Sequence, residues 1–292
     1  MSITVGQAVL LGILQGLTEF LPVSSTAHLA LAQSFLPGFA QPGILFDVLL
    51  HVGTLVAVVV YFRERLTGTA AGLVASDPAE RRVAWKLVGL LVLAVALTGA
   101  VALPLKKLAV ESMSDYRMMG FSLCGTALLL SAAQAVGTRR GDGGRSLVEI
   151  RPRDAALVGL CQALSAVFHG LSRSGNTISI GLFTGMSRRA AAEFSFLLSI
   201  PTILAAAAVE NLHAYRHQTG PIAQSGAWPA YLAGMATAAV VGYLAVGVLL
   251  RVVIRMRLEP FVIYCGLLGL TLVVFGDRIG SGFVGEATVS VR

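Results

Sequence analysis

Gln15-Gly-Leu-Thr-Glu19-Phe-Leu-Pro22-Val-Ser24-Ser25-Thr26-Ala-His28 decides how this chain is read. The stretch lies inside an apolar run from Ile3 to Leu36 that has the look of a membrane helix. It carries a carboxylate, hydroxyls, an imidazole and a helix-breaking proline near its middle. Isolated polar groups in hydrocarbon cost several kcal/mol each unless they face a cavity or one another. So dense a polar set predicts a functional hairpin buried in a membrane protein rather than a plain span.

The remainder of the chain supports a membrane setting. Of 292 residues, 55% are hydrophobic and 13% charged, with mean hydropathy +0.78; soluble proteins average about 25% charged. The net charge of +7 comes from cations clustered between apolar runs, which is the pattern of topology signals, so no nucleic-acid partner is expected. Cys124, Cys161 and Cys265 lie in apolar segments without ligand-like spacing, so neither a disulfide framework nor a zinc site is expected. Ala30-Leu-Ala32 resembles a signal-peptide cleavage site, but no Lys or Arg precedes it and Glu19 and Pro22 interrupt the apolar region; retention is expected.

Apolar spans follow at about 44–62, 84–105 and 116–137, then 190–210, 228–250 and 259–277, each near the ~20 residues of a crossing helix. A polar connector at 138–154, with five arginines and Gly141-Asp-Gly-Gly144, divides the chain. A second interrupted apolar stretch, about 155–183, contains Phe168-His-Gly-Leu-Ser172-Arg173-Ser174-Gly-Asn-Thr177.

The halves resemble each other. Gly12-Ile-Leu-Gln15-Gly-Leu-Thr aligns with Gly159-Leu-Cys-Gln162-Ala-Leu-Ser, and Phe46…Leu49-Leu50…Thr54 aligns with Phe194…Leu197-Leu198…Thr202, at nearly equal offsets. Two ordered matches argue for duplication. The expected architecture is an all-α polytopic integral membrane protein forming one membrane domain over 1–292. It has six transmembrane helices plus two re-entrant helical hairpins in an inverted-topology repeat. The first repeat is 1–137 (hairpin about 3–36), 138–154 is a cytoplasmic connector, and the second repeat is 155–292 (hairpin about 155–183). With both hairpins re-entrant, the cation-rich loops 63–86, 138–154 and 251–257, together with Arg188-Arg189, fall on one side. The positive-inside rule makes that side cytoplasmic. The loops 106–115 and 211–227 and both termini then lie outside, and the hairpin tips meet near the midplane.

Gln15 and Glu19 share a helix face. Pro22 ends that helix, and Ser24-Ser25-Thr26 form the turn and cap of the next. Ser25 and His28, three apart, are expected to reach one another. The new helix's free N–H groups favour an anion. At the other tip Arg173 stands between Ser172 and Ser174; its forked donors match phosphate oxygens. Bland readings stand beside these: capping for Ser24 and Thr26, a structural ion pair between Glu19 and Arg173, packing for His28, and a packing amide for Gln15. Structural hydrogen bonds are expected for Asp47, His51, His169 and Glu193, and no role for His213 and His217 in an outer loop.

Gln15-x-x-x-Glu19-Phe-Leu-Pro-Val-Ser-Ser-Thr-Ala-His28, with Gly170-Leu-Ser-Arg-Ser-Gly-Asn-Thr177, resembles the undecaprenyl-diphosphate phosphatase family of bacteria, the bacitracin-resistance proteins. Phe46-Asp-Val-Leu-Leu-His-Val-Gly-Thr54 and Glu193-Phe-Ser-Phe-Leu-Leu198 extend the resemblance over nearly the whole chain. It implies a multi-pass enzyme of the bacterial inner membrane that removes the terminal phosphate of undecaprenyl diphosphate at the extracytoplasmic face. The monophosphate carrier returns to peptidoglycan synthesis, and abundance confers bacitracin resistance. It also implies a divalent cation, Mg²⁺ or Ca²⁺, with Glu19 as its ligand. Carried over by position, Ser25 is the nucleophile, His28 its base or proton shuttle, and Arg173 the phosphate clamp. Gln15, Ser24, Thr26, Ser172, Ser174 and Thr177 contact substrate. Gln15 stands where many members have glutamate, and His169 where proline is usual. Two alternatives stay open: His28 as the nucleophile, and a polyprenyl-phosphate transporter or flippase instead of an enzyme. Partners are lipids, with a homodimer among the options.

Overall fold

A computed structural model describes residues 3–36, 39, 44–141, 143–216 and 227–284. The helices are α1 (Val5–Phe20), α2 (Ser25–Phe35), α3 (Ile44–Tyr61), α4 (Arg63–Leu73), α5 (Pro78–Ala102) and α6 (Lys106–Ser114). They continue with α7 (Tyr116–Arg140), α8 (Pro152–Val167), α9 (Arg173–Thr184), α10 (Arg188–Arg216), α11 (Trp228–Ile254) and α12 (Glu259–Val284). No strand is present among the described residues.

Five helices are long and apolar enough to cross a membrane: α5, α7, α10 over Arg188–Val209, α11, and α12 over Glu259–Ile279. The sixth expected span is shorter and differs from a straight rod. At Phe62 the chain bends by 73°, and α3 reaches the length of a span only when taken together with α4. Arg63, Glu64 and Arg65 end the apolar run there, and charged side chains stay out of hydrocarbon. The stretch 63–86, expected as a loop, is instead α4, a turn, and the start of α5, whose N-terminus is set by the Asp77 cap and by Pro78 at its first position. The expected loop 106–115 is likewise mostly the helix α6. Of the expected outer loop 211–227, residues 217–226, with His217, lie outside the described residues.

The connector is tied down despite its glycines. Arg145 pairs with Met186 as an isolated bridge. Its guanidinium donates to Asp154 at 2.7 Å and to the carbonyl of Thr184 at 2.7 Å. A charge that replaces lost water contacts with several hydrogen bonds holds a loop in one place.

Two short helices, α1 and α2, fold back on one another, as do α8 and α9. α1 packs along α11, and α8 along α5, while α7 packs along α12. The glycines aligned between the halves sit at these contacts. A Cβ on Gly12 would stand 2.4 Å from the carbonyl oxygen of Gly234 on α11, and one on Gly159 would stand 2.4 Å from that of Ala94 on α5. Small residues allow such backbone approach where lipid supplies no hydrophobic drive between helices. The largest apolar cluster brings Phe20 and Phe62 onto Phe196, with ring centroids 5.9 and 5.8 Å from it. This core lies under the break between α1 and α2.

Candidate active site

Proline decides the first corner. Leu21, before Pro22, is extended (φ −62°, ψ 144°), because the proline ring disfavours helical geometry in the preceding residue. The chain reverses through Val23, and Ser24 caps α2 with a φ of 71°. A positive φ on a residue other than glycine stores strain; here it lets Ser25 begin α2 facing back toward α1. The second corner repeats the device. Ser172 caps α9, its hydroxyl accepting from the Gly175 N–H at 3.2 Å, so that Arg173 is the first helical residue. The corners touch: Ser174 Oγ donates to the carbonyl of Leu21 at 3.1 Å.

Glu19 is the centre of the resulting cluster. Its Oε1 is paired with Arg173. Its Oε2 accepts from Ser25 Oγ at 2.7 Å and from Gln15 Nε2 at 3.0 Å. His51 Nε2 lies 3.7 Å from the same oxygen. The Glu19 side chain is 5% exposed and that of Arg173 19%. A charge pair this enclosed persists only because each partner is compensated; removing one typically costs about 3–5 kcal/mol. A cavity of about 590 Å³ opens onto the cluster. Glu19, Ser24, Ser25 and Thr26 line it from the first corner, and Leu171, Ser172 and Arg173 from the second. Two helix N-termini and a guanidinium thus face one space, which suits an anion with several oxygens.

The structure brings Gln15, Glu19, Ser25 and Arg173 into one hydrogen-bonded group, with Ser24, Thr26 and Ser172 on the cavity wall. Three expected residues face elsewhere. Ser174 is spent on Leu21, and Thr177 on the hydroxyl of Ser195 at 2.6 Å and on the carbonyl of Arg173 at 2.9 Å. These bonds hold the second corner against the first and against α10. His28 is the larger departure. Its Nδ1–H donates to the Ser24 carbonyl at 2.7 Å, and its Nε2 accepts from the Tyr264 hydroxyl at 2.6 Å. The rings of His28 and Tyr264 stack at 5.6 Å. Bonding to Ser24 and Tyr264 fixes the imidazole between α2 and α12, so the expected approach of His28 to Ser25 does not occur.

Sequence reasoning gave no site role to several polar residues of the cavity wall, among them Asp47, His51, Lys106 and Gln162. Asp47 and His51 are four apart on an otherwise apolar helix, a shared-face spacing that could have flagged them. Gln162 is the repeat partner of Gln15, a second available signal. Lys106 gave none, since it read as one cation in a loop.

The oxygens near the corner bear on the implied cation. Gln15 turns its Nε2 to the Glu19 carboxylate and leaves its Oε1 buried without a protein donor, off the cavity wall. Among the described residues no group of three or more His, Cys, Asp or Glu side chains could hold a metal ion. The Glu19 carboxylate on the cavity wall fits a hard cation that takes its remaining ligands from a substrate, not one caged by protein alone.

A sequence model of the family described as bacitracin resistance protein BacA matches residues 8–271. An undecaprenyl-diphosphatase of Syntrophotalea carbinolica is 42% identical over 263 residues, which is 90% of this chain and 95% of the relative. One of Desulforudis audaxviator is 40% identical over 270 residues, 92% and 96% of the two chains. An undecaprenyl-diphosphatase 2 of Stutzerimonas stutzeri is 39% identical over 269 residues, 92% and 97%.

Proposed function

The chain belongs to the bacitracin resistance protein BacA family, and from that premise we propose that it is an undecaprenyl-diphosphate phosphatase. It hydrolyses a lipid diphosphate in the membrane to the monophosphate and inorganic phosphate, which recycles the carrier for peptidoglycan synthesis. The observation that carries the reading is the Ser25 hydroxyl bonded to Glu19 in a cavity that Arg173 also lines. A transporter needs anion ligands but has no use for a hydroxyl held on a carboxylate.

Ser25 Oγ attacks the terminal phosphorus, and its proton follows the existing hydrogen bond to Glu19. The bridging P–O bond breaks and the prenyl monophosphate leaves. Arg173 keeps one donor on Glu19 and turns the rest of its fork toward the phosphate, offsetting charge on the transferring group. The N-termini of α2 and α9 add backbone donors. A divalent cation, Mg²⁺ or Ca²⁺, arriving with the diphosphate would be held by Glu19 and would neutralise substrate charge. His28 acts as a positioning residue: it ties the strained Ser24 to α12 and so keeps Ser25 aimed at Glu19.

In the membrane, both corners are read as tips of re-entrant hairpins in an inverted repeat, with the catalytic cavity open to the extracytoplasmic side and both termini there. At 1.5 Å per residue, the 16 residues of α1 span about 24 Å, short of a ~30 Å hydrocarbon core. The reciprocal packing of α1 on α11 and α8 on α5 supports the same reading. The test is phosphate release from undecaprenyl diphosphate by purified protein in detergent. Steady release that EDTA suppresses is expected. No release above a protein-free control would overturn the assignment.

A further inference from the structure

Ser25, Glu19 and Arg173 all act on the terminal phosphate, and the phosphate attached to the prenyl chain needs a partner of its own. As the bridging P–O bond breaks, negative charge gathers on this proximal phosphate, which leaves with the lipid. Among the described residues, two Lys or Arg side chains line the cavity, Arg173 and Lys106. Arg173 is already paired with Glu19, and a compensated cation offsets less of a second charge. No carboxylate or carbonyl among the described residues pairs with the Lys106 ammonium.

The helix that carries this lysine has the layout of a lipid-phosphate cradle. Lys106, Val110 and Met113 line the cavity from α6, and their spacing of four and then three residues puts them on one helix face. Ser112 anchors the same helix. Its buried hydroxyl accepts from the His169 N–H at 2.8 Å, which ties α6 to the corner that bears Arg173. Val110 and Met113 are 61% and 53% exposed although they line the cavity, so the wall is open beside them. Ile203, Ala206 and Ala207 of α10 add further apolar lining. One helix face thus runs from a cation to an apolar opening, the order in which a lipid phosphate carries its charge and its hydrocarbon.

We propose that Lys106 binds the proximal phosphate of the lipid diphosphate and stabilises the monophosphate leaving group, an assignment that rests on the phosphatase reading above. Ser25 Oγ forms its bond to the terminal phosphorus and the bridging P–O bond breaks. The electron pair of that bond goes to the bridging oxygen, which stays with the prenyl monophosphate beside the ammonium. The attraction grows as this charge develops, so it favours the transition state over the bound substrate. A compact charge on a flexible stem can follow the proximal phosphate as it parts from the terminal one. The prenyl chain leaves the cavity over Val110 and Met113. Inorganic phosphate fills the terminal position alone and has no need of Lys106, whereas prenyl monophosphate depends on it.

The test uses the full-length protein in detergent with undecaprenyl diphosphate. Lys106→Met keeps the apolar stem and loses the charge, and Lys106→Arg keeps the charge. Lys107→Met removes an exposed neighbouring charge that does not line the cavity. Lys106→Met is expected to lower kcat/KM by about 10- to 100-fold, less than an enclosed electrostatic stabiliser because Lys106 is only partly buried. Lys106→Arg should stay within about threefold of the parent, since a point contact needs the charge alone, and Lys107→Met should match the parent. In Lys106→Met, inhibition by prenyl monophosphate should weaken at least ~10-fold while inhibition by inorganic phosphate holds. Parental kcat/KM in Lys106→Met overturns the proposal, as does unchanged inhibition by prenyl monophosphate. Weakened inhibition by inorganic phosphate also overturns it, by moving the cation to the terminal phosphate. So does a loss in Lys106→Arg or Lys107→Met equal to that in Lys106→Met, which would mark a structural or a diffuse effect. If Lys106→Met does not fold, Lys106→Gln is measured in its place against the same outcomes. Absence of phosphate release by the parent would instead overturn the phosphatase reading, an outcome that no Lys106 variant can produce.

Discussion

Glu19 meets a cation, a hydroxyl and an amide on its two oxygens, so its substitution tests the whole group. Glu19→Gln is nearly isosteric, and steady phosphate release is expected to fall at least ~100-fold, the scale of one electrostatic stabiliser. Unchanged release would remove Glu19 from the chemistry. Arg173 poses a finer question, because its ion pair with Glu19 offers a purely structural rival to the phosphate clamp. Lysine keeps the charge but loses the planar fork. If the arginine grips phosphate through its remaining donors, Arg173→Lys should fold yet lose about 10- to 1000-fold in kcat/KM, and a diphosphate analogue should bind more weakly. If it only neutralises Glu19, lysine restores near-parental kinetics and the clamp is refuted.

The hairpin corners were legible in the sequence because their causes are local. Pro22 fixes Leu21, Ser24 and Ser172 cap the helices that follow, and the four-residue spacing of Gln15 and Glu19 puts them on one face. What escaped was non-local or interfacial. His51 reaches Glu19 from another helix, and His28 is drawn aside by Tyr264, 236 positions away; no short-range spacing encodes either contact. α4 and α6 went unread because hydropathy reports segments that cross the membrane and is silent on charged helices that do not. Packing at the element scale is testable through Gly12 and Gly159, whose added Cβ atoms would each meet a carbonyl oxygen of the facing helix at 2.4 Å. Gly12→Ala and Gly159→Ala are each expected to cost about 1–3 kcal/mol by overpacking, read as a lower Tm in detergent. Gly68→Ala, on α4 with open space around it, should melt like the parent. Parental melting in both buried variants would mean that the close helix contacts contribute nothing to stability.

At the scale of the whole molecule, the orientation of the halves follows from how many times the chain crosses between marked points. Single cysteines at Thr4, Ser76, Ser114, Gly143 and Arg255, all exposed, sample the chain before and after each hairpin once the three natural cysteines are replaced. An impermeant thiol reagent applied to intact cells then reports the side of each. With both hairpins re-entrant, one crossing (α3, with α4 bent away from it) separates Thr4 from Ser76, and two (α10 and α11) separate Gly143 from Arg255. Thr4 and Ser114 are therefore expected to be labelled, and Ser76, Gly143 and Arg255 to be shielded until the cells are opened. The arginine-rich stretches set which side is shielded, since cations favour the cytoplasmic face. Each hairpin has its own failing outcome. If α1 and α2 crossed as one span, Thr4 and Ser76 would share a side. If α8 and α9 crossed, Gly143 and Arg255 would part. Either result would break the inverted relation of the halves, because an inverted repeat requires an odd number of crossings in each half, three here. Corners that enter from opposite faces can supply Ser25 and Arg173 to one cavity without either helix pair spanning the bilayer, and it is this geometry that the five positions put at risk.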